Sequence, residues 1–317
     1  MVTSSPIYSD DNKLVNIRPN PKEIVSFKEA GNSLEIKYSK KHSNGGTTRK
    51  ISKDFYINTK TGELNEFHHQ EKRMDDTKSV SRSLNQGKDI INANFTDPKK
   101  CRFLTVTYAD NMTDEKKLYN DLNYFIKKLK KEFQIYKYCL AIEPQGRGAW
   151  HAHIIIGWKD KVPFFPYDKV LSLWGHGGIY ITEITGDCDN LGQYLCSYLS
   201  DMPLDEAESL HIDIRQNNIK EVIADENGVK IPKRVVKGAR LSMYPSGMHI
   251  FRWSRNCIKP TIIKCTNEEA EKAVDGLELL YETTRKIVDI SSGFENTTNY
   301  RAYNKKRRAV PIRRENI

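Results

Sequence analysis

What this 317-residue chain lacks excludes several classes of protein. It has no apolar run near the roughly 20 residues that a membrane-spanning helix needs, so no transmembrane helix and no membrane partner are expected. Its N-terminus, Met1-Val-Thr-Ser-Ser-Pro6, lacks a basic start followed by an apolar core, and no secretory leader is expected from it. The six cysteines (Cys101, Cys139, Cys188, Cys196, Cys257 and Cys265) form no C-x-x-C pair. That spacing argues against a zinc knuckle and suits free thiols in a reducing cytoplasm. There is no G-x-x-x-x-G-K-[ST] phosphate loop, so no ATPase domain is expected. No internal repeat is visible.

Composition describes an ordinary globular chain, 38% hydrophobic and 29% charged, long enough for one large or two ordinary domains. Lys and Arg number 51 against 41 Asp and Glu, a net charge of +10 that favours a polyanionic partner. Tyr300-Arg-Ala-Tyr-Asn-Lys-Lys-Arg-Arg308, with Arg313 and Arg314 beyond, reads as a basic tail that binds nucleic acid or stays solvated. Its removal after Asp289 is expected to weaken nonspecific DNA affinity without unfolding the core. Between Lys237 and Lys259, arginines alternate with aromatics: Arg240, Tyr244, Arg252, Trp253 and Arg255. Such a surface pairs with phosphates and stacks on unpaired bases; the plainer alternative is an edge strand with solvated charges.

The densest chemistry lies in Cys139-Leu-Ala-Ile-Glu143-Pro-Gln-Gly-Arg-Gly-Ala-Trp-His151-Ala-His153-Ile-Ile-Ile156. Two apolar runs flank a turn with Gly146 and Gly148, which predicts a β-hairpin. Side chains alternate along a strand, so His151 and His153 share a face. With the turn near Arg147, Glu143 lies opposite them, and two imidazoles with a carboxylate suit a divalent metal. A lone His-x-His would be read as two surface histidines.

Around this hairpin the chain reads in order as follows. Residues 22–66 form short strands with turns at Gly31-Asn32, Gly45-Gly46 and Thr61-Gly62. Residues 67–95 are largely helical. Phe103–Tyr108 is a strand rich in β-branched and aromatic residues. Leu118, Leu122, Phe125, Leu129 and Phe133 form the apolar face of a helix from Thr113 to Phe133. After the hairpin come a helix at Tyr167–Trp174, a strand at Ile179–Glu183 and a helix from Asn190 to Ser200, capped by Asp189. Tyr194 and Tyr198 share one face of that helix. A turn at Asn227-Gly228 falls in a connector, and the capping box Thr266-x-x-Glu269 opens a last helix, expected to run to Asp289 with Ala270, Ala273, Leu277, Leu280 and Tyr281 inward. The expected fold is α+β: an antiparallel ferredoxin-like or RRM-like sheet with helices on one face, extra N-terminal strands and a C-terminal helix. The expected division is residues 1–66, a strand-rich extension; 67–205, the core; 206–264, a connector and basic, aromatic segment packed on it; and 265–317, the helix and tail.

Three motifs in one order carry a resemblance: the strand Phe103-Leu-Thr-Val-Thr-Tyr108, the His151-Ala-His153 strand and the helix segment Tyr194-Leu-Cys-Ser-Tyr198. Together they resemble an HUH endonuclease of the rolling-circle replication initiator (Rep) type, from bacterial plasmids and phages. Asp89–Phe95, Met243–Met248 and Ser254–Pro260 also resemble Rep segments, so the likeness spans roughly residues 50 to 260. It implies Mg²⁺ or Mn²⁺ on Glu143, His151 and His153. It implies Tyr194 as the first nucleophile, making a 5′-phosphotyrosine link, and Tyr198 as a second. It implies single-stranded or hairpin origin DNA as substrate, a host helicase and DNA polymerase as partners, and a bacterial cytoplasmic setting. One departure is plain: where the family commonly has lysines after the first tyrosine, this chain has Ser197 and Asp201. Competing readings are a relaxase or single-strand transposase with the same chemistry, a non-catalytic DNA-binding regulator, and a metal-dependent hydrolase. The last has no need of paired tyrosines.

Overall fold

The computed structural model describes the chain except residues 1, 10–13, 42–46, 68–76, 185–189, 213–218, 227–228, 246, 291–292 and 310–317. The expected turn at Gly45-Gly46, the Asn227-Gly228 turn, Asp189, Arg313 and Arg314 thus lie outside the described residues. The fold is mixed α/β with antiparallel sheets, and it divides into two compact units: Gln70–Lys259, and Met1–His69 joined with Pro260–Ile317. The sequence-based division had separated the two ends that the second of these unites.

The N-terminal part supplies β1 (Val2–Pro6), β2 (Ile24–Ala30) and β3 (Ser33–Ser39), then a small sheet of β4 (Thr48–Lys50), β5 (Phe55–Asn58) and β6 (Leu64–Glu66). The expected turns at Gly31-Asn32 and Thr61-Gly62 join β2 to β3 and β5 to β6.

The Gln70–Lys259 unit opens with α1 (Thr77–Asn94). Then follow β7 (Cys101–Thr107), α2 (Glu115–Phe133), β8 (Lys137–Pro144), β9 (Trp150–Gly157), α3 (Tyr167–Trp174), β10 (Ile179–Glu183) and α4 (Leu191–Ser200), in the expected order. Beyond these, β11 (Met202–Pro203), α5 (Leu204–Ser209), β12 (Ile219–Glu226) and β13 (Val229–Val236) form an outlying hairpin layer, and β14 (Phe251–Trp253) returns to the main sheet. That sheet has the order β10-β7-β9-β8-β14, antiparallel throughout. The α2 stripe is buried as expected: Leu118, Leu122, Phe125 and Leu129 join Leu104, Val106, Ile142 and Ile154 in one core.

Helices on one face alone were expected; the structure has them on both. Arg252, opposite Leu140, lies over the Tyr119 ring of α2, which places α2 on the face of Leu140 and Ile154. On the other face a Cβ at Gly87 of α1 would meet the Phe251 ring at 2.6 Å, so α1 packs directly on β14. Helix α4 rests on α1 and β8 on that side. The cause is visible in β8, where Cys139 to Pro144 are all buried. A strand apolar on both faces has to be covered on both.

The remaining segments complete the other unit: β15 (Thr261–Thr266), α6 (Asn267–Ala273), β16 (Leu277–Asp289) and β17 (Phe294–Arg308). Two expectations are overturned here. The capping box at Thr266 and Glu269 forms, but the helix stops after two turns instead of reaching Asp289. Gly276 takes φ 70°, a left-handed backbone that ends helices at little cost, and the following run holds β-branched Thr283, Thr284, Ile287 and Val288. The basic segment is no solvated tail either. It is β17, hydrogen-bonded between β16 and β3 within the sheet β1-β16-β17-β3-β2-β15. Arg301 is fully buried, donating to Glu271 and, at 2.7 Å, to Asn267 Oδ1. Buried Tyr303 packs with Val25, Phe27, Leu34 and Ile36.

Candidate metal centre

The hairpin that carries the site forms because β8 and β9 are apolar and the turn between them can reverse. Gly148 has φ 86°, a conformation that glycine adopts without steric penalty. The register then sets Glu143 directly opposite His151 and Ala141 opposite His153. His153 Nε2 lies 2.7 Å from Glu143 Oε2, His151 Nε2 lies 3.1 Å from the same oxygen, and the two Nε2 atoms are 3.1 Å apart. Among the described residues this is the one cluster of three or more metal-ligating side chains, all ligand atoms lying within 4.8 Å of one another.

Its electrostatics follow from burial. The three side chains keep only 7%, 11% and 13% of their surface exposed for Glu143, His151 and His153. Burial by itself would push the Glu143 carboxyl up, but hydrogen bonds and charge from His151 and His153 outweigh it and bring the group down to about 2. The donor set fits a divalent cation. Two imidazole nitrogens and a carboxylate oxygen converge, and protons on those nitrogens cannot satisfy all three contacts at once. Thr105, opposite His153 in the β7–β9 register, sets its Oγ1 3.1 Å from His153 Nδ1. With Nε2 on a metal, Nδ1–H donates to that hydroxyl and fixes the ring. His151 Nδ1 is buried with no hydrogen-bond partner among the described residues.

Sequence reasoning missed Thr105 as a partner, although a threonine inside an apolar strand was the available signal. It also misplaced Arg240 and Tyr244, which were expected on a DNA-binding surface. Both are buried. Arg240 Nε sits 3.1 Å from Glu143 Oε1, and Nη1 donates to Pro144 O at 2.9 Å. Tyr244 donates its hydroxyl to Ile142 O at 2.9 Å. Neither polar group is left for DNA, because both are spent holding β8. Arg252, Trp253 and Arg255 do come together, lining an open cleft with Lys130, Tyr136 and Tyr138.

Asn190, not Asp189, caps α4: its Oδ1 accepts from Gln193 N at 2.9 Å and from Asn92 Nδ2 at 2.7 Å. Leu195, Cys196 and Leu199 are buried, and Tyr194 stands on the outer side, 54% exposed. Tyr198 lies on the same helix, its side chain outside the described ones. Ser197 donates to Gln193 O, and Asp201 Oδ1 accepts from Gly238 N, so both residues in the expected lysine places serve the local backbone. Lys88 of α1 and Lys237 line a cleft beside α4 with Gln193 and Ser200.

The Gln70–Lys259 unit is thus a mixed α/β body whose main antiparallel sheet bears a buried carboxylate–histidine cluster. Residues 101–203, from β7 through β11, match the family model described as replication-associated protein ORF2. No curated protein matches the chain, and no solved structure does. The matched span is similar to Rep-type proteins, and it contains Glu143, His151, His153, Tyr194 and Tyr198.

Proposed function

We propose that the protein initiates rolling-circle DNA replication: an HUH-type, metal-dependent tyrosine nickase that cuts single-stranded origin DNA and rejoins the ends at termination. The observation that carries this reading is the convergence of Glu143, His151 and His153 inside the span similar to replication-associated proteins. The sheet order, with the histidine strand near its centre, accords with an HUH core.

Mg²⁺ or Mn²⁺ on Glu143, His151 and His153 supplies Lewis acidity and orientation at a scissile phosphate oxygen. The chain's own groups do the rest. Thr105 and Glu143 hold the imidazoles in one tautomer and orientation. Tyr194 Oη attacks phosphorus; the P–Oη bond forms, the bond to the 3′ oxygen breaks, and the phenolic proton is balanced by protonation of that oxygen to a free 3′-OH. A phenol's ordinary pKa of about 10 makes this a step that needs activation. The phosphotyrosine keeps the bond energy for rejoining, and Tyr198 is assigned the second cut. The cleft at Arg252, Trp253 and Arg255 is assigned to DNA, through phosphate pairing and base stacking.

The test is a denaturing gel of the full chain with single-stranded oligonucleotides tiling its own replicon, in Mn²⁺, Mg²⁺ or EDTA. A metal-dependent covalent adduct that is lost in Tyr194→Phe is expected. Loss only in Tyr198→Phe moves the nucleophile one turn along α4. Tight binding with no adduct for any oligonucleotide favours the non-catalytic regulator.

A further inference from the structure

The two oxygens of Glu143 have divided duties. Oε2 faces both histidines, and Oε1 faces the Arg240 guanidinium. Arg240 itself is 7% exposed, and every nitrogen is engaged. Nε–H donates to Asp201 O at 3.2 Å, Nη1 to Pro144 O at 2.9 Å and Nη2 to Glu206 Oε2 at 3.1 Å. Asp201 is the C-cap of α4, Pro144 ends β8 and Glu206 lies on α5. One planar fork therefore touches the ligand carboxylate, the end of the metal strand and the end of the tyrosine helix. Four residues on, the Tyr244 hydroxyl sits 2.9 Å from Ile142 O on β8 and 3.3 Å from Leu199 O on α4, a second tie between the same two elements.

We propose that Arg240 is a positioning residue of the metal centre. It leaves Glu143 a single oxygen free for the cation and registers the tyrosine helix against the strand that holds the metal. This rests on the nickase reading above, and it assigns a place for cationic help in a chain that has Ser197 and Asp201 where lysines were expected. A lysine cannot replace Arg240, because an ammonium on a flexible stem does not present donors in a plane to three acceptors at fixed angles.

The experiment is a Mn²⁺ titration of the full chain, followed by the electron paramagnetic resonance of free Mn²⁺. Wild type, Arg240→Met, Arg240→Lys and Glu206→Gln are compared well below their thermal midpoints. Adduct formation is then timed at saturating Mn²⁺. Arg240→Met is expected to weaken Mn²⁺ binding roughly 10- to 100-fold, the range typical when a ligand's supporting partner is removed. Arg240→Lys is expected to lose less affinity, yet to form adduct more slowly than wild type even when loaded. A folded Arg240→Met with wild-type Mn²⁺ affinity overturns the proposal, since a purely structural arginine would lower the midpoint and leave affinity alone. If Arg240→Met does not fold, wild-type affinity in both Arg240→Lys and Glu206→Gln overturns it equally. A wild type that binds no Mn²⁺ sinks the metal reading itself, a result distinct from unchanged variants.

Discussion

Glu143 Oε2 serves two imidazoles at 2.7 and 3.1 Å, so the loss of either histidine should be felt at once. His151→Ala and His153→Ala are each expected to abolish adduct formation while changing oligonucleotide affinity by less than about threefold, because the ion acts in chemistry more than in binding. Parallel cleavage and binding assays check this, and an equal loss of both would count against it. Thr105→Val keeps the shape but removes the acceptor for His153 Nδ1. A fall in Mn²⁺ affinity on the order of tenfold is expected by titration, with little change in thermal midpoint. At this scale much of the site was legible, since a hairpin turn near Arg147 and the two-residue period of a strand suffice to align Glu143 with His151. Arg240 was not legible. Arginine among aromatics suggests a surface, and only its distant partners on β8, α4 and α5 reveal a buried clamp.

Strand β17 shows how an element can invert the meaning of a composition. Its lysines and arginines suggested a detachable tail, yet Thr298 to Asn304 pair with β3, and Arg301, Tyr303 and Asn304 are buried. Truncation after Asp289 removes a strand flanked on both sides, and cooperative unfolding of the Met1–His69 and Pro260–Ile317 unit is expected to be lost rather than spared. Limited proteolysis should then cut within residues 20–40, which resist it in the full chain. Tyr303→Ala, which empties part of that unit's core, is expected to cost about 3 kcal/mol in urea unfolding. An effect below about 1 kcal/mol would mean that the strand pairing seen for β17 contributes little. The same competition ended α6 early: a stripe of Leu277, Leu280 and Tyr281 at helical spacing lost to β-branched residues and to a partner strand waiting in β17.

For the whole molecule, a charge of +10 predicts DNA binding that weakens steeply with salt. Each phosphate that a cation neutralises on a single strand adds roughly 0.7 to the slope of log affinity against log salt. Arg252→Ala with Arg255→Ala should flatten the slope by roughly 1.4, in titrations between about 50 and 200 mM salt. A slope unchanged from wild type would remove the cleft beside β14 from the DNA path.

The sequence by itself determined what depends on short range: the order of strands and helices from β7 to α4, the turn at Gly148, the capping box at Thr266 and the shared face of the two histidines. These follow from steric preference and from side-chain periods that any window of residues displays. Only the tertiary structure decided which charges are solvated. Arg301 lies between strands and Arg240 behind a ligand carboxylate, while Arg252 and Arg255 border an open cleft. The four share one side-chain chemistry and differ in the partners that folding brings from far along the chain. A guanidinium withdrawn from water has to find those partners, and no local pattern records them.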